Sequence, residues 1–215
     1  MALTLKVNEI FLSIQGEGTR AGLPCVLVRL AGCNLRCAWC DTQYAWDKGC
    51  SLSLDEIMAE VARLHCARVE ITGGEPLIQP ATPELIRRLC NKGCEVLLET
   101  NGSLDISVVD PRAARIVDFK CPSSRETSAN RWQNVQGLTC CDEVKFVMAD
   151  RADFEFARDA ISGHRLADKC TVIFSPVAGR LGARELAEWI LAEKLDVRLG
   201  VQLHKMIWPS RERGV

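Results

Sequence analysis

CVLVRLAGCNLRCAWCDT, residues 25–42, joins an apolar run to a loop crowded with thiols. CVLVRL (25–30) has the length and β-branched content of a buried strand. The loop behind it places Cys33, Cys37 and Cys40 at the spacing C-x3-C-x2-C. Gly32 ends the strand, and Asn34 and Arg36 are polar, so the three sulfurs are not dispersed through a hydrophobic layer. Three thiolates leave one position open on a tetrahedral zinc, or one iron of a cubane cluster without a protein ligand. A zinc would want a fourth Cys or His nearby. His65, His164 and His204 are distant in sequence, with His204 able to arrive through the fold.

Apolar runs like 25–30 recur at 67–72 (ARVEIT), 95–100 (EVLLET), 115–120 (RIVDFK), 142–147 (DEVKFV), 170–175 (CTVIFS) and 197–203 (VRLGVQL). Helix-start signals lie between them. Ser53 with Glu56 reads as a capping box, and Thr82 followed by Pro83 as an N-cap with proline at the first helical position. Further helices fit 151–162 and 182–194, and 121–141, without periodicity, reads as a long loop with room for one helical turn. Strands apolar on both faces and alternating with helices imply a parallel sheet covered by helices. The polar motifs CNLRCAWC, TGGEP (72–76), ETNGS (99–103), KCPSS (120–124), SPV (175–177) and HK (204–205) then all follow strand carboxyl ends. In parallel α/β folds that rim is where ligands bind.

The 215 residues are expected to form a single domain, 1–215, with the cluster loop at 32–42 and a tail at 204–215 returning to the site. A chain this long buries roughly 70% of its unfolded surface, enough for an ordinary core. Net charge is −1, from 27 basic and 28 acidic residues, with no run of like charge. A nucleic-acid footprint or a membrane-surface patch is therefore not expected, and a small-molecule partner is. MALTLKVNEIFLSIQ has no apolar signal core, and no apolar run approaches the ~18 residues of a membrane span. A cytoplasmic setting follows, in which twelve cysteines remain thiols or become metal ligands. Cys25, Cys66, Cys90, Cys94 and Cys170 read as small buried hydrophobes. Cys50, Cys140 and Cys141 lie in irregular sequence with no assigned role.

The three-cysteine loop with Trp39 before its last cysteine, followed by GGEP after the next strand, is similar to the radical S-adenosylmethionine (SAM) enzymes. EIFLSIQGEG (9–18), VRLAGCN (28–34), CDT (40–42), ITGGEPL (71–77), ETNG, DFKCPSS and the tail QLHKMIWPSRERGV narrow the resemblance to the 7-carboxy-7-deazaguanine synthase family, across nearly the whole chain. The resemblance implies an incomplete, distorted (β/α)6 parallel barrel, commonly a homodimer. It implies conversion of 6-carboxy-5,6,7,8-tetrahydropterin to 7-carboxy-7-deazaguanine with loss of ammonia, toward queuosine and other 7-deazapurines. The implied cofactors are a [4Fe-4S] cluster, SAM and Mg²⁺, with flavodoxin or ferredoxin as electron donor. SAM, chelating the fourth iron, would be cleaved after one-electron reduction, and the 5′-deoxyadenosyl radical would take hydrogen from the substrate carbon bearing the carboxylate.

By the same resemblance Cys33, Cys37 and Cys40 hold the cluster and Thr42 offers an oxygen to Mg²⁺, although Asp41 is the more obvious ligand on charge. Gly73 and Gly74 allow close backbone approach to SAM, Pro122, Ser123 and Ser124 contact it, and Trp39 lies where adenine is met or is a core tryptophan. Ile14, Gln15 and Gly16 lie against the pterin; read from residues alone, IQGEG is a glycine-containing turn. Thr72, Gln202, His204 and the terminal carboxylate of Val215 face the substrate, with Gln202 and His204 alternating on the last strand. Arg29, alone in an apolar strand, needs a buried partner. That partner is the substrate carboxylate, gripped by a planar fork, or an internal acid. Two rival readings remain: a glycyl-radical enzyme activase on the same cofactor, and a non-catalytic iron or zinc binding module.

Overall fold

The computed structural model describes residues 3–211 and 213–215. One nine-stranded sheet organises them, in the order β3-β1-β2-β4-β5-β6-β7-β8-β9. β1 (Thr4–Ile14) lies antiparallel to β2 (Pro24–Leu30) and to β3 (Cys50–Ser53), with a register shift between Val7 and Glu9. From β2 the sheet runs parallel through β4 (Arg68–Gly73), β5 (Glu95–Thr100), β6 (Ala114–Lys120), β7 (Glu143–Met148), β8 (Thr171–Pro176) and the two-residue β9 (Arg198–Leu199). The sheet curls so that inward side chains of β2 to β8 line one cavity. The edge strands β3 and β9 do not pair with each other, so the barrel is incomplete, and β5 and β6 are followed by short 3₁₀ turns instead of α-helices.

Helices cover the outer face. α1 (Leu54–Arg63) begins with the expected capping box, Ser53 and Glu56 bonding reciprocally. α2 (Thr82–Asn91) has Pro83 in its first turn, but its N-cap is Ala81, because Thr82 is already helical and its hydroxyl donates to the Pro76 carbonyl at 2.7 Å. Both helices pack on Val26, Val28, Val69, Ile71, Val96 and Leu98. α3 (Arg151–His164) and α4 (Ala183–Ala192) cover the other half, Val117, Phe119, Val144, Phe146, Val172 and Phe174. Among the described residues no helix is long and apolar enough to cross a membrane.

Besides the N-cap of α2, the structure departs from the sequence expectation at three places. β1 and β3 were not anticipated, because β1 carries Lys6, Asn8, Glu9 and Ser13 among its apolar residues. The 121–141 segment contains three 3₁₀ turns where a long loop with one helical turn was expected. The expected strand 197–203 stops at Leu199. Gly200 donates to the Phe174 carbonyl at 2.8 Å, Leu203 donates instead to the Gly16 carbonyl at 3.0 Å, and a short helix α5 (Leu203–Ile207) follows. Gln202 and His204 therefore do not alternate on a strand: Gln202 precedes α5 and His204 lies within it.

Candidate active site

A cavity of about 740 Å³ opens at the carboxyl ends of the parallel strands. Cys33, Cys37 and Cys40 line it, each half-buried and free. Their loop is held at several points. The Gly32 amide donates to the Ala45 carbonyl at 2.9 Å, Ala38 donates to the Ser124 carbonyl at 3.0 Å, and the Arg36 amide donates to Glu126 Oε1 at 2.7 Å. Cys33 Sγ accepts the Leu35 amide at 3.4 Å and the Asn101 side chain at 3.9 Å, the kind of bond that tunes cluster thiolates. Burial pushes the Cys37 thiol up to about 11, against the pull of the Lys120 ammonium. Burial raises Cys40 as well. Such sulfurs become thiolates when a bound cation supplies the charge. Among the described residues no three His, Cys, Asp or Glu side chains gather about a single-ion position. A cubane takes one thiolate on each of three irons and leaves its fourth iron open, which a set of three cysteines matches.

The glycine pair has a steric reason within the chain. A Cβ on Gly73, at φ +149°, would lie 2.1 Å from the Leu30 carbonyl oxygen, and one on Gly74 would lie 2.1 Å from that of Gly32 and 2.8 Å from Cys33 Cβ. The GGEP turn can thus press against the cluster loop only without side chains. Glu75, fully buried, fastens the turn by accepting from the Leu77 amide, the Thr100 hydroxyl and the Asn101 amide at 3.0, 2.8 and 2.6 Å. Trp39 lines the cavity, its Nε1 donating to Ser123 Oγ at 2.9 Å and the Lys120 ammonium 5.7 Å from its ring.

Below the rim the cavity wall is charged. Arg29 donates through Nε to Glu9 Oε1 at 2.8 Å, and Tyr44 donates its hydroxyl to the same oxygen at 3.2 Å. The terminal guanidinium nitrogens of Arg29 take no partner among the described residues. The internal-acid reading of this arginine is met on one edge by Glu9, and its terminal fork faces no hydrogen-bond partner among the described residues. Lys145 Nζ donates to Glu17 Oε2 at 2.9 Å and to Glu99 Oε1, while Glu99 Oε2 accepts from the Thr72 hydroxyl at 2.9 Å. Burial would raise the Glu99 carboxyl, but the Lys145 ammonium outweighs it and lowers the group to about 2. Asp118 pairs with Lys120 at 2.8 Å through Oδ2, leaving Oδ1 buried without a partner among the described residues.

The turn after β1 enters the barrel from the floor. Gln15 Nε2 donates to Glu70, Glu17 reaches Lys145, and Thr19 and Arg20 engage the buried Glu143, Arg20 at 3.0 Å. The tail closes the side. A Cβ on Gly16 would meet His204 Nδ1 at 2.4 Å, so a side chain there would displace that imidazole. Gln202 Nε2 donates to Glu17 Oε1 at 2.7 Å, and Lys205 Nζ to Asp41 Oδ2 at 2.8 Å. The Thr42 hydroxyl donates to the other Asp41 oxygen at 3.0 Å. Arg213 stacks on Tyr44 at 4.2 Å, and Val215 lines the cavity.

Of the residues singled out from sequence, Ile14, Gln15, Gly16, Arg29, Trp39, Thr42, Thr72, Gly73, Gly74, Gln202, His204, Val215 and the three cysteines meet in this cavity. Pro122, Ser123 and Ser124 form a 3₁₀ turn behind the cluster loop, gripping Trp39 and Ala38. Glu70, Glu99, Asp118, Lys120 and Lys145 were overlooked. The signal that exposed Arg29, a charge at an inward position of an apolar strand, was equally present in RVEIT, VLLET, IVDFK and EVKFV.

An open three-thiol loop on an incomplete parallel barrel is the arrangement of the radical SAM superfamily, and the family model for that superfamily matches residues 27–121. The crystal structure of QueE from Escherichia coli shares the fold, with TM-score 0.77 and 24% identity over 93% of this chain and 94% of that one. The 7-carboxy-7-deazaguanine synthase of Koribacter versatilis is 46% identical over 98% of this chain and its own full length, and that of Chlorobaculum tepidum is 46% identical over 98% of this chain and 97% of its own. The chain belongs to the 7-carboxy-7-deazaguanine synthase family. It is a radical SAM enzyme, with a [4Fe-4S] cluster and SAM as cofactors.

Proposed function

We propose that the chain, acting as a single domain, converts 6-carboxy-5,6,7,8-tetrahydropterin to 7-carboxy-7-deazaguanine with loss of ammonia. The observation that carries this reading is the meeting of three free thiols and an arginine with an open fork on the wall of one charged cavity. Cys33, Cys37 and Cys40 hold the cluster at the mouth. When bound there, cluster and SAM together supply a 5′-deoxyadenosyl radical. Gly73 and Gly74 present bare backbone to the methionine end of SAM. Trp39 offers its ring to the adenine, and Pro122, Ser123 and Ser124 support that ring from behind.

Arg29 grips the substrate carboxylate with its terminal nitrogens while Glu9 fixes the guanidinium plane. The Thr42 hydroxyl gives an oxygen to Mg²⁺, a hard cation suited to such ligands. Ile14, Gln15 and Gly16 form the floor under the ring system, with Thr72, Gln202 and His204 at its sides. Burial lowers the His204 pKa below its ordinary value, which leaves a neutral imidazole able to accept a proton. The tail through Val215 excludes water, and the cofactor's chemistry needs little else from the protein. Flavodoxin or ferredoxin as reductant and a homodimeric assembly complete the proposal.

The test is anaerobic incubation of reconstituted, reduced protein with SAM and the tetrahydropterin. The expected outcome is about four irons per chain and a 7-carboxy-7-deazaguanine product. One zinc per chain, or 5′-deoxyadenosine formation without any change in the pterin, would overturn the reading.

A further inference from the structure

Among the described residues, the acidic side chains on or just behind the cavity wall are matched to cations with one exception. Glu9 has Arg29, Glu17 and Glu99 share Lys145, Asp118 has Lys120, and Asp41 has Lys205. Glu70 has only an amide: Gln15 Nε2 donates to its Oε2, and its Oε1 accepts from no described residue. The side chain lines the cavity yet is 4% exposed, so that small opening faces the ligand space. A buried carboxyl this poorly partnered is costly unless donors reach it. Burial and the neighbouring Glu99 push it well above the ordinary carboxylate range.

Its position is set by register. Leu27 pairs with Glu70 and Arg29 with Thr72 across β2 and β4, so Glu70 lies one inward layer beneath Arg29. Two residues of strand and one strand spacing place the two roughly 8 Å apart, the reach of a fused bicyclic ring carrying a carboxylate. If Arg29 takes the carboxylate, as the tetrahydropterin reading holds, the far edge of the ring arrives at Glu70 and Gln15. That edge of a 2-aminopyrimidinone carries a ring N–H beside an exocyclic amino group, two parallel donors that complement a planar carboxylate.

We infer that Glu70, oriented by Gln15, is a specificity-determining residue that reads the ring N–H and 2-amino edge of the substrate. The inference rests on the tetrahydropterin reading and adds to it the choice between a 2-amino and a 2-oxo ring. A 2-oxo ring turns an oxygen toward the carboxyl and leaves a buried group unpaired, which is how hydrogen-bonding sites reject close analogues.

The test uses the reconstituted holoenzyme, anaerobically, with 6-carboxytetrahydropterin and its 2-oxo counterpart. The wild type should prefer the amino compound on the order of 100-fold in kcat/KM. Glu70→Gln should raise KM for it on the order of 10- to 100-fold with a smaller change in kcat, and the preference over the oxo compound should collapse, since an amide offers both donor and acceptor. A purely structural role for Glu70 would weaken both substrates equally and preserve the ratio. Equal turnover of the two substrates by the wild type overturns the inference, as does an undiminished preference in Glu70→Gln. Should that variant not fold, the wild-type ratio decides alone. Turnover of neither substrate, with SAM cleavage intact, would instead remove the tetrahydropterin reading on which this rests.

Discussion

Along β6, Ile116, Asp118 and Lys120 face the cavity, while Val117, Phe119 and Cys121 pack beneath the covering elements. β7 repeats the arrangement, with Lys145 and Val147 inward and Val144, Phe146 and Met148 outward. The outer face is an ordinary apolar core in which any side chain of suitable volume serves. The inner face places Arg29, Glu70, Glu99, Asp118 and Lys145 where parallel barrels usually stack branched aliphatics. Arg29 pairs with Glu9 of β1, Lys145 reaches Glu99 of β5 across β6, and Asp118 pairs with Lys120 of its own strand, while Glu70 is left to the Gln15 amide, so the inner layer is specified partner by partner. Stability and function are thereby assigned to opposite faces of the same strands.

Removing a thiol from the rim should give the largest effect of all on function and a small one on folding. Cys37→Ala is expected to lose the cluster's visible absorbance and all reductive cleavage of SAM, while circular dichroism and the unfolding midpoint change little. Retained cluster absorbance would move the ligand assignment elsewhere.

The two faces can be set against each other with a pair of variants. Lys145→Met strands Glu17 and Glu99 without their cation and should cost about 3 to 5 kcal/mol in urea unfolding, with pterin turnover lost. Phe119→Ala, on the outer face against Trp132 at 4.5 Å, should cost a similar ~3 to 5 kcal/mol but keep turnover wherever the protein stays folded. Equal losses of turnover would erase the distinction between the faces.

Arg29→Ala is expected to weaken apparent affinity for the tetrahydropterin on the order of 30-fold, a loss of about 2 kcal/mol, with Arg29→Lys intermediate because it retains charge without the fork. Substrate titration checks this, and 5′-deoxyadenosine release without pterin should fall far less. An unchanged titration in Arg29→Ala would leave Glu9 as the arginine's only purpose.

The smallest effect concerns pH. The Glu70 carboxyl is raised in the folded protein, so its contribution is most favourable below about pH 4.5, its unfolded value, and is lost as pH rises through the folded pKa. Glu70→Gln should therefore stabilise the ligand-free protein at pH 8 on the order of 1 kcal/mol, about 2 to 4 °C in Tm, and do nothing comparable at pH 4. Glu99 runs the other way. Its lowered group contributes above about pH 4.5 and loses that contribution as pH falls toward about 2. A Glu70→Gln variant destabilised at pH 8 would show that the carboxylate has a cation after all.

Much of this was legible before any coordinates. The parallel strands from β2 to β8 fall within a residue of their expected bounds, because doubly buried strands are continuous apolar runs that local chemistry marks clearly. Ser53 and Glu56 announced α1 because a capping box is complete within four residues. Thr82 misled because its hydroxyl found the Pro76 carbonyl, a partner that only the preceding turn supplies. The final strand failed because Gly16, nearly two hundred residues away, claims the Leu203 amide.

The sequence by itself determined the parallel frame, the three-thiol loop at a strand's carboxyl end, the glycine pair and the arginine that wanted a partner. These are local patterns, written in spacing and in residue type. The tertiary structure alone decided that Arg29 has both Glu9 and an open fork, that Lys145 joins Glu17 to Glu99, and that the tail reaches the floor through Gly16 and the cluster loop through Asp41. Charge pairing across strands depends on register and on distance in space, and a buried charge can be recognised in one dimension while its partner cannot.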